Sequence, residues 1–310
     1  MRTSLHLCLL ATVVLGVAQM TAQGNELLGR WDLEVQYGDR WLPSWLEVEQ
    51  SGNKALVGHF VSMAGSARPI SEVHLKDGLF SFSIPPQWIG SQYMHLTGTV
   101  NGDAVEGNIL DHMGMSRAFR GVRAPLLMHE EPAAWTEPRS LIPASGLDGW
   151  TTTPGSQTNQ WVVEDGILKS PASGANLMTT ETFMDFKLHI EFRYPEHSNS
   201  GVYLRGRYEV QVEDSQGKEP NSHFLGGVYG FLTPNENAAR KPGEWQEYDI
   251  TLVGRRVTVV ANGKTIIYNQ IIPGITGGAL DSNEASPGPI MLQGDHGPVE
   301  YRNIRIAVPQ

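Results

Sequence analysis

"YDITLVGRRVTVVANGKTIIYN", residues 248–269, holds three strand-like runs, the last two joined at Asn262-Gly263. An Asn-Gly pair suits a type I′ hairpin, because both central residues of that turn take positive φ. Upstream, "FKLHIEFRY" (186–194) sets Phe186, Leu188, Ile190 and Phe192 on one face against Lys187, His189, Glu191 and Arg193 on the other. That two-residue period belongs to a half-buried strand. Downstream, "GPIMLQGDHGPVEYRNIRIAV" (288–308) supplies two more strands. With no helical period of useful length after the N-terminal segment, residues 141–310 read as an antiparallel two-sheet sandwich of jelly-roll type.

The preceding segment, residues 24–122, is also all-β. "GRWDLEV" alternates, and turn signals fall at Gly52-Asn53, Asp77-Gly78 and Asn101-Gly102. Consecutive hairpins of this kind make a meander of about eight strands, which hides its edges as a small closed barrel or as a sandwich. "RAPLLMHEEPAAWTEPRS" (123–140) has three prolines and no period, and reads as a linker. A chain of 310 residues has room for two such domains, so two cores are expected.

At the N-terminus, Arg2, an apolar run from Leu5 to Val17 and the small and polar "AQMTAQG" follow the layout of a secretory signal peptide over residues 1–23. The expectation is a periplasmic or secreted protein without a membrane span, since no later run approaches ~18 apolar residues. The single cysteine, Cys8, lies in that run, so neither disulfides nor thiol catalysis enter the mature chain. A formal charge of −10 with scattered Lys and Arg argues against nucleic acid as a partner. There is no P-loop, dinucleotide fingerprint or nucleophile elbow.

The candidate chemistry begins at "SGVYLRGRYEVQVEDS", residues 200–215. Counting in twos puts Val202, Leu204, Tyr208, Val210 and Val212 on one side, and Tyr203, Arg205, Arg207, Glu209, Gln211 and Glu213 on the other. A solvated face explains such a row, and so does a binding face. On one continuous strand Glu209 and Gln211 are about 6.6 Å apart and Glu213 lies about 13 Å from Glu209. The register stays open, because Gly206-Arg207 can be a hairpin tip, and Arg205 then faces Glu209 only across a three-residue loop.

"NSGVYLRG", "YEVQVEDS", "GGVYG", "KPGEWQEYDITLVGRRVTVVANGK", "LQGDHG" and "VEYRNIRI" occur in the order and near the spacing of the 3-keto-disaccharide (3-keto-glycoside) hydrolase domain family, which residues 140–308 resemble. The resemblance implies a concanavalin-like jelly roll, related to family 16 glycoside hydrolases, with its active site on a concave sheet face. Where family 16 enzymes carry nucleophile, helper acid and acid/base along one strand, this chain has Glu209, Gln211, Glu213 and Asp214. The neutral Gln211 in the helper position cannot tune two carboxylates as an Asp does, so ordinary double displacement is put in doubt.

A 3-keto-sugar offers another route, because its C3 carbonyl acidifies the C2 proton. That chemistry needs a base near C2, donors to the C3 oxygen and an acid for the leaving group. Arg205, Gln211 and His296 can donate, and Glu209, Asp214 and His296 can accept. His296 reads equally as a turn residue bonded to Asp295. Gln293 and Asp295 suit sugar hydroxyls or a turn cap, and Tyr229 and Trp245 offer flat faces for a sugar ring or for a core. Glu300, Arg302 and Asn303 read as an inter-strand ion pair.

For metals, the histidines show no ligand spacing, so zinc is not supported. "LDSNEAS" (280–286) offers Asp281, Asn283 and Glu284 to calcium, or is simply an exposed acidic loop. No other cofactor is expected. The implied partners are an oligosaccharide or glycoside substrate and a separate oxidoreductase that makes the 3-keto group. A noncatalytic carbohydrate binder and a conventional endoglucanase are the alternatives.

Overall fold

The structure, a computed structural model, describes residues 26–310 except 89, 144, 156 and 157. The proposed signal segment and Cys8 lie outside the described residues. Eight strands form the first unit: β1 (Gly29–Tyr37), β2 (Arg40–Ser51), β3 (Ala55–Val61), β4 (Arg68–Lys76), β5 (Leu79–Ile84), β6 (Met94–Asn101), β7 (Ala104–Leu110) and β8 (Ser116–Arg123). Each pairs antiparallel with the next and β8 returns to β1, so the meander is a closed barrel. Closure leaves no unpaired edge. Asp77 and Gly78 both take positive φ at the β4–β5 turn, as an Asp-Gly hairpin requires, while the β6–β7 turn falls one residue later than its Asn-Gly signal, on Gly102-Asp103. Trp31, Leu33, Phe60, Phe80, Phe82 and Phe119 fill the barrel interior. Gly98 and Gly107 face each other across β6 and β7, where a Cβ would strike the Phe80 or Phe119 ring.

The remaining strands are β9 (Arg139–Ser140), β10 (Trp150–Thr152), β11 (Val162–Glu164), β12 (Ile167–Ser170), β13 (Leu177–Thr179), β14 (Phe186–Arg193), β15 (Asn199–Leu204), β16 (Tyr208–Glu213), β17 (Gln246–Val253), β18 (Arg256–Ala261), β19 (Lys264–Ile271), β20 (Met291–Leu292) and β21 (Val299–Ala307). They form two antiparallel sheets, one ordered β10-β13-β20-β15-β16 and the other β11-β12-β21-β14-β17-β18-β19, with β9 beside β21. Asn262 and Gly263 both have positive φ between β18 and β19, the expected type I′ turn. The inward faces of both sheets, among them Phe186, Leu188, Ile190 and Phe192 from one and Val202, Leu204, Val210 and Val212 from the other, make one apolar core. This is an all-β protein, a barrel followed by a jelly-roll sandwich.

The two cores are not independent. Trp45 of β2 and Val61 of β3 belong to the sandwich core, and Trp45 meets Phe231 edge to face at 5.3 Å. Ser282 donates to Leu33 O (2.5 Å), and Gly278 N donates to Met63 O (3.0 Å). Beneath these contacts Glu284, fully buried, accepts from Arg255 (2.5 Å) and from the Tyr208 hydroxyl (2.6 Å). It also faces Asp32 of β1, whose carboxyl is pushed far above the usual range by burial and by the Glu284 charge. The loop 280–286 is therefore an interface rather than an exposed acidic loop. Asp281 accepts from Arg207 (2.7 Å) and Glu284 is held by Arg255, so these carboxylates are occupied by arginines and not turned together as calcium ligands.

Candidate active site

Strand register lays the site out as a grid. Thr151 pairs with Met178, Met178 with Met291, Met291 with Tyr203 and Tyr203 with Glu209, one residue from each strand of the five-stranded sheet. Their sequence neighbours Leu177, Leu292, Val202 and Val210 point into the core, so this row lies on the opposite, concave face. A second row runs beside it. Gly201 pairs with Gln211, Gln293 N donates to Gly201 O (2.9 Å), and Asn176 Oδ1 accepts from Gly294 N (2.7 Å).

The β15–β16 tip decides this register. Leu204 pairs with Tyr208, leaving Arg205, Gly206 and Arg207 as a three-residue loop, with Arg205 and Gly206 at positive φ. Tyr203, not Arg205, therefore stands opposite Glu209. Arg205 is fully buried on the other side, donating to the Tyr208 hydroxyl (2.8 Å) and Gly254 O (3.2 Å). It cannot meet a substrate on the concave face, which corrects its assignment as a substrate-binding residue.

Glu209 is 3 % exposed. Burial pushes its carboxyl up to about 8, the Asp295 charge adds to the rise, and a hydrogen bond from Tyr203 acts against it. The Tyr203 hydroxyl, shared with Gly277 O (2.9 Å), is itself raised well above its ordinary range, by burial first and then by the Glu209 charge. Gly201 is what lets the Glu209 side chain lie down on the sheet, because a Cβ there would collide with its carboxyl oxygen.

Gln211 and Gln293 are buried beside this carboxyl, and each has an amide oxygen with no partner. A buried polar atom without a hydrogen bond costs about 1–3 kcal/mol, which marks these two as acceptors or, with the amide flipped, donors for a bound group. Gln211 Nε2 reaches Glu213 (3.3 Å), whose carboxyl burial raises.

Two loops cover the β16 edge. Tyr229 N donates to Glu209 O (3.0 Å), and Glu209 N donates to Thr276 Oγ1 (3.0 Å). Tyr229, half-buried, is raised to about 12 by burial and by the charges of Glu209 and Glu213. His223 packs edge-on against it at 5.0 Å and is lowered by burial. At the far end of the Gln293 strand, His296 Nδ1 and Asp295 Oδ1 are 2.6 Å apart, a bond that raises the imidazole. His296 thus makes the bond to Asp295 that the turn reading expects, and Asp295 is near enough to shift Glu209.

Asp214 and Trp245 lie elsewhere. Asp214 Oδ2 accepts from His197 N (3.0 Å), tying down the turn before β15. Trp245 lies on the outer face of the other sheet between Arg193 (4.8 Å) and Arg302 (3.9 Å), so it cannot stack a sugar on the concave face. On the same outer face Glu300 pairs with Arg193, and Glu191 with Arg302 and Asn303, the inter-strand role expected for 300–303. Sequence reasoning passed over Tyr203, Gly201 and His223. The first two become legible once the three-residue tip is placed at 205–207 and not at 206–208, which would set Arg205 opposite Glu209; His223 has no sequence signal.

The chain matches, over residues 137–307, the 3-keto-alpha-glucoside-1,2-lyase-like domain, and it belongs to that family. Among solved structures it is similar to a protein of Parabacteroides distasonis ATCC 8503 assigned provisionally as a glycosyl hydrolase, at 30% identity and TM-score 0.47, over 56% of this chain and 84% of that one. A second structure so described from the same organism shares 24% identity at TM-score 0.43, over 56% of this chain and 98% of that one. No curated protein matches. By the family match the class is a 3-keto-disaccharide hydrolase domain, preceded by a barrel that the match does not cover.

Proposed function

We propose that this protein is an exported enzyme that cleaves 3-keto-glycosides by elimination followed by hydration. The observation that carries the reading is Glu209: a carboxyl buried in the floor of a concave face, with its pKa raised to about 8 and, beside it, two buried glutamines whose amide oxygens have no partner. A base with a pKa near the working pH is well matched to removing a proton of modest acidity.

In the proposed reaction the Glu209 carboxylate takes the C2 proton and the electron pair moves into the C3 carbonyl, giving an enolate. With Arg205 turned away, the amides of Gln211 and Gln293 and the hydroxyl of Tyr229 are the donors available to the C3 oxygen. The enolate re-forms the ketone as the C1–O bond breaks, leaving a C1–C2 double bond. The departing oxygen takes a proton from His296, which Asp295 favours in its charged form. Water then adds at C1, giving its proton to the now neutral His296, and protonated Glu209 returns the proton to C2, so both groups are restored and hydrolysis is the sum. A separate oxidation of the C3 hydroxyl must supply the substrate. We further propose that residues 1–23 direct export, to be checked by the N-terminal sequence of the mature protein.

The test is a product assay on a 3-keto-glucoside and its unoxidised parent, side by side. Release of the aglycone from the keto sugar alone supports this reaction. Cleavage of the parent restores conventional glycosidase chemistry, and binding without turnover of either makes the protein a carbohydrate binder.

A further inference from the structure

The row Tyr203–Met291–Met178–Thr151 continues away from Glu209 for three strand spacings, about 14 Å. It does not run out onto an open surface. The β1–β2 hairpin of the barrel stands over it, and a cleft of 710 Å³ lies between Arg40 and Pro43 on the barrel side and Thr151, Asn176, Met178 and Met291 on the sandwich side. Cavities of this size hold a ligand larger than one sugar ring.

From this arrangement we infer that the barrel completes the substrate site: its β1–β2 hairpin, through Arg40, forms the subsite for a second sugar ring, and so favours 3-keto-disaccharides over glycosides with small leaving groups. The inference rests on the function proposed above and adds the barrel to it. Three observations carry it. First, the cleft adjoins the reacting centre, because Gly278 on its wall packs against the Tyr203 hydroxyl. Second, its chemistry suits a pyranose, with a methionine floor for the C–H face and Thr151 and Asn176 at its sides for hydroxyls. Third, Arg40 is uncommitted. Arg30, Arg117, Arg120 and Arg123 of the barrel each pair with a carboxylate. Arg40, exposed, makes no ion pair or hydrogen bond among the described residues, and its guanidinium lies against Gly155 of the opposite wall. Five unshared N–H donors on a planar group are a ready grip for adjacent sugar hydroxyls. The hairpin is held in place by the shared core at Trp45 and by the Ser282–Leu33 bond, so the wall is fixed rather than tethered.

The experiment compares kcat/KM for a 3-keto-disaccharide and for a 3-keto-glucoside with a small leaving group, in the full-length mature protein, Arg40→Ala, Arg40→Lys and the cleft-filling Thr151→Trp. The expected result is that the disaccharide-to-small-glycoside ratio falls about tenfold in Arg40→Ala, in line with losing one charge-assisted hydrogen bond. It should recover in part in Arg40→Lys, and fall further in Thr151→Trp through a higher disaccharide KM. Ratios equal to wild type in Arg40→Ala and Thr151→Trp overturn the subsite while leaving the reaction intact. If neither substrate turns over, the proposed reaction has failed, and calorimetric binding of the unoxidised disaccharide decides the subsite alone. Weaker binding in Arg40→Ala then supports it, whereas equal or absent binding overturns it.

Discussion

The two sheets of the sandwich carry the same sequence pattern to opposite ends. "FKLHIEFR" on β14 and "YEVQVE" on β16 both alternate apolar and polar residues. On β14 the polar face is solvated and its charges are matched: His189 with Asp249 (2.7 Å), Glu191 with Arg302 (2.6 Å), and Arg193 with Glu300. On β16 the polar face is buried, Glu209 has no cationic partner at hydrogen-bond distance among the described residues, and Gln211 keeps an orphaned amide oxygen. Alternation reports only that a strand has two faces. Chemistry follows from withholding water and counter-charge from one of them, which is what moves a carboxyl into a useful pKa range.

The strongest test of that contrast is Glu209→Gln, which should lower kcat by about 10²- to 10⁴-fold on a 3-keto-glycoside while leaving substrate affinity measurable. Unchanged turnover would remove Glu209 from the reaction. Gly201→Ala comes next, because the new methyl displaces the Glu209 carboxyl from its resting place. Loss of geometry at a reacting group costs about 10²-fold, read as kcat with the fold verified by circular dichroism. A wild-type rate would show that Glu209 works from another rotamer.

The pH profile sharpens the same point. If Glu209 acts as the base and His296 as the acid, kcat/KM should rise tenfold per unit with pH on its acid limb, as Glu209 with its pKa of about 8 gives up its proton, and fall at alkaline pH once His296 has lost the proton it must donate. A profile already flat at pH 6 would mean that the group is not shielded as the structure has it.

Stability should move the other way. Asp32 and Glu209 both have folded pKa values above their unfolded ones, so the folded state binds protons that the unfolded chain has released. Their contribution is complete below the ordinary carboxylate range and is lost as pH climbs through neutral into the alkaline. Thermal melts between pH 5 and about 9 should therefore fall in wild type and flatten in Asp32→Asn. The smallest effect belongs to the outer face, where Trp245→Ala and Glu191→Gln should leave turnover unaltered and stability within about 1 kcal/mol. A tenfold loss of activity in Trp245→Ala would contradict its placement.

Much of the sandwich was legible because its signals are local. The Asn262-Gly263 and Asp77-Gly78 turns need nothing beyond their own φ preferences, and the Phe186–Phe192 alternation names its core face directly. Two-residue periodicity keeps Glu209, Gln211 and Gln293 off the apolar side, where the structure also has them, whereas Tyr229, in a turn, stood out only for its flat ring. Arg205 and Trp245 were misplaced for one reason: each sits at or beyond a strand end, where periodicity stops. Arg205 turns inward because a three-residue tip reverses its direction, and Trp245 is claimed by two arginines from strands far off in sequence.

The sequence by itself determined the strand faces, the tight turns and the family, since these depend on neighbours within a few residues or on motifs in order. Only the tertiary structure decided that the first meander closes, that Asp32 meets Glu284 across the interface, that Gly201 makes room for Glu209, and that the barrel's Arg40 hangs over the concave sheet. Each of those depends on two segments brought together across tens or hundreds of residues, and on the burial that follows. Burial is a property of the assembled surface, and no spacing along the chain encodes it.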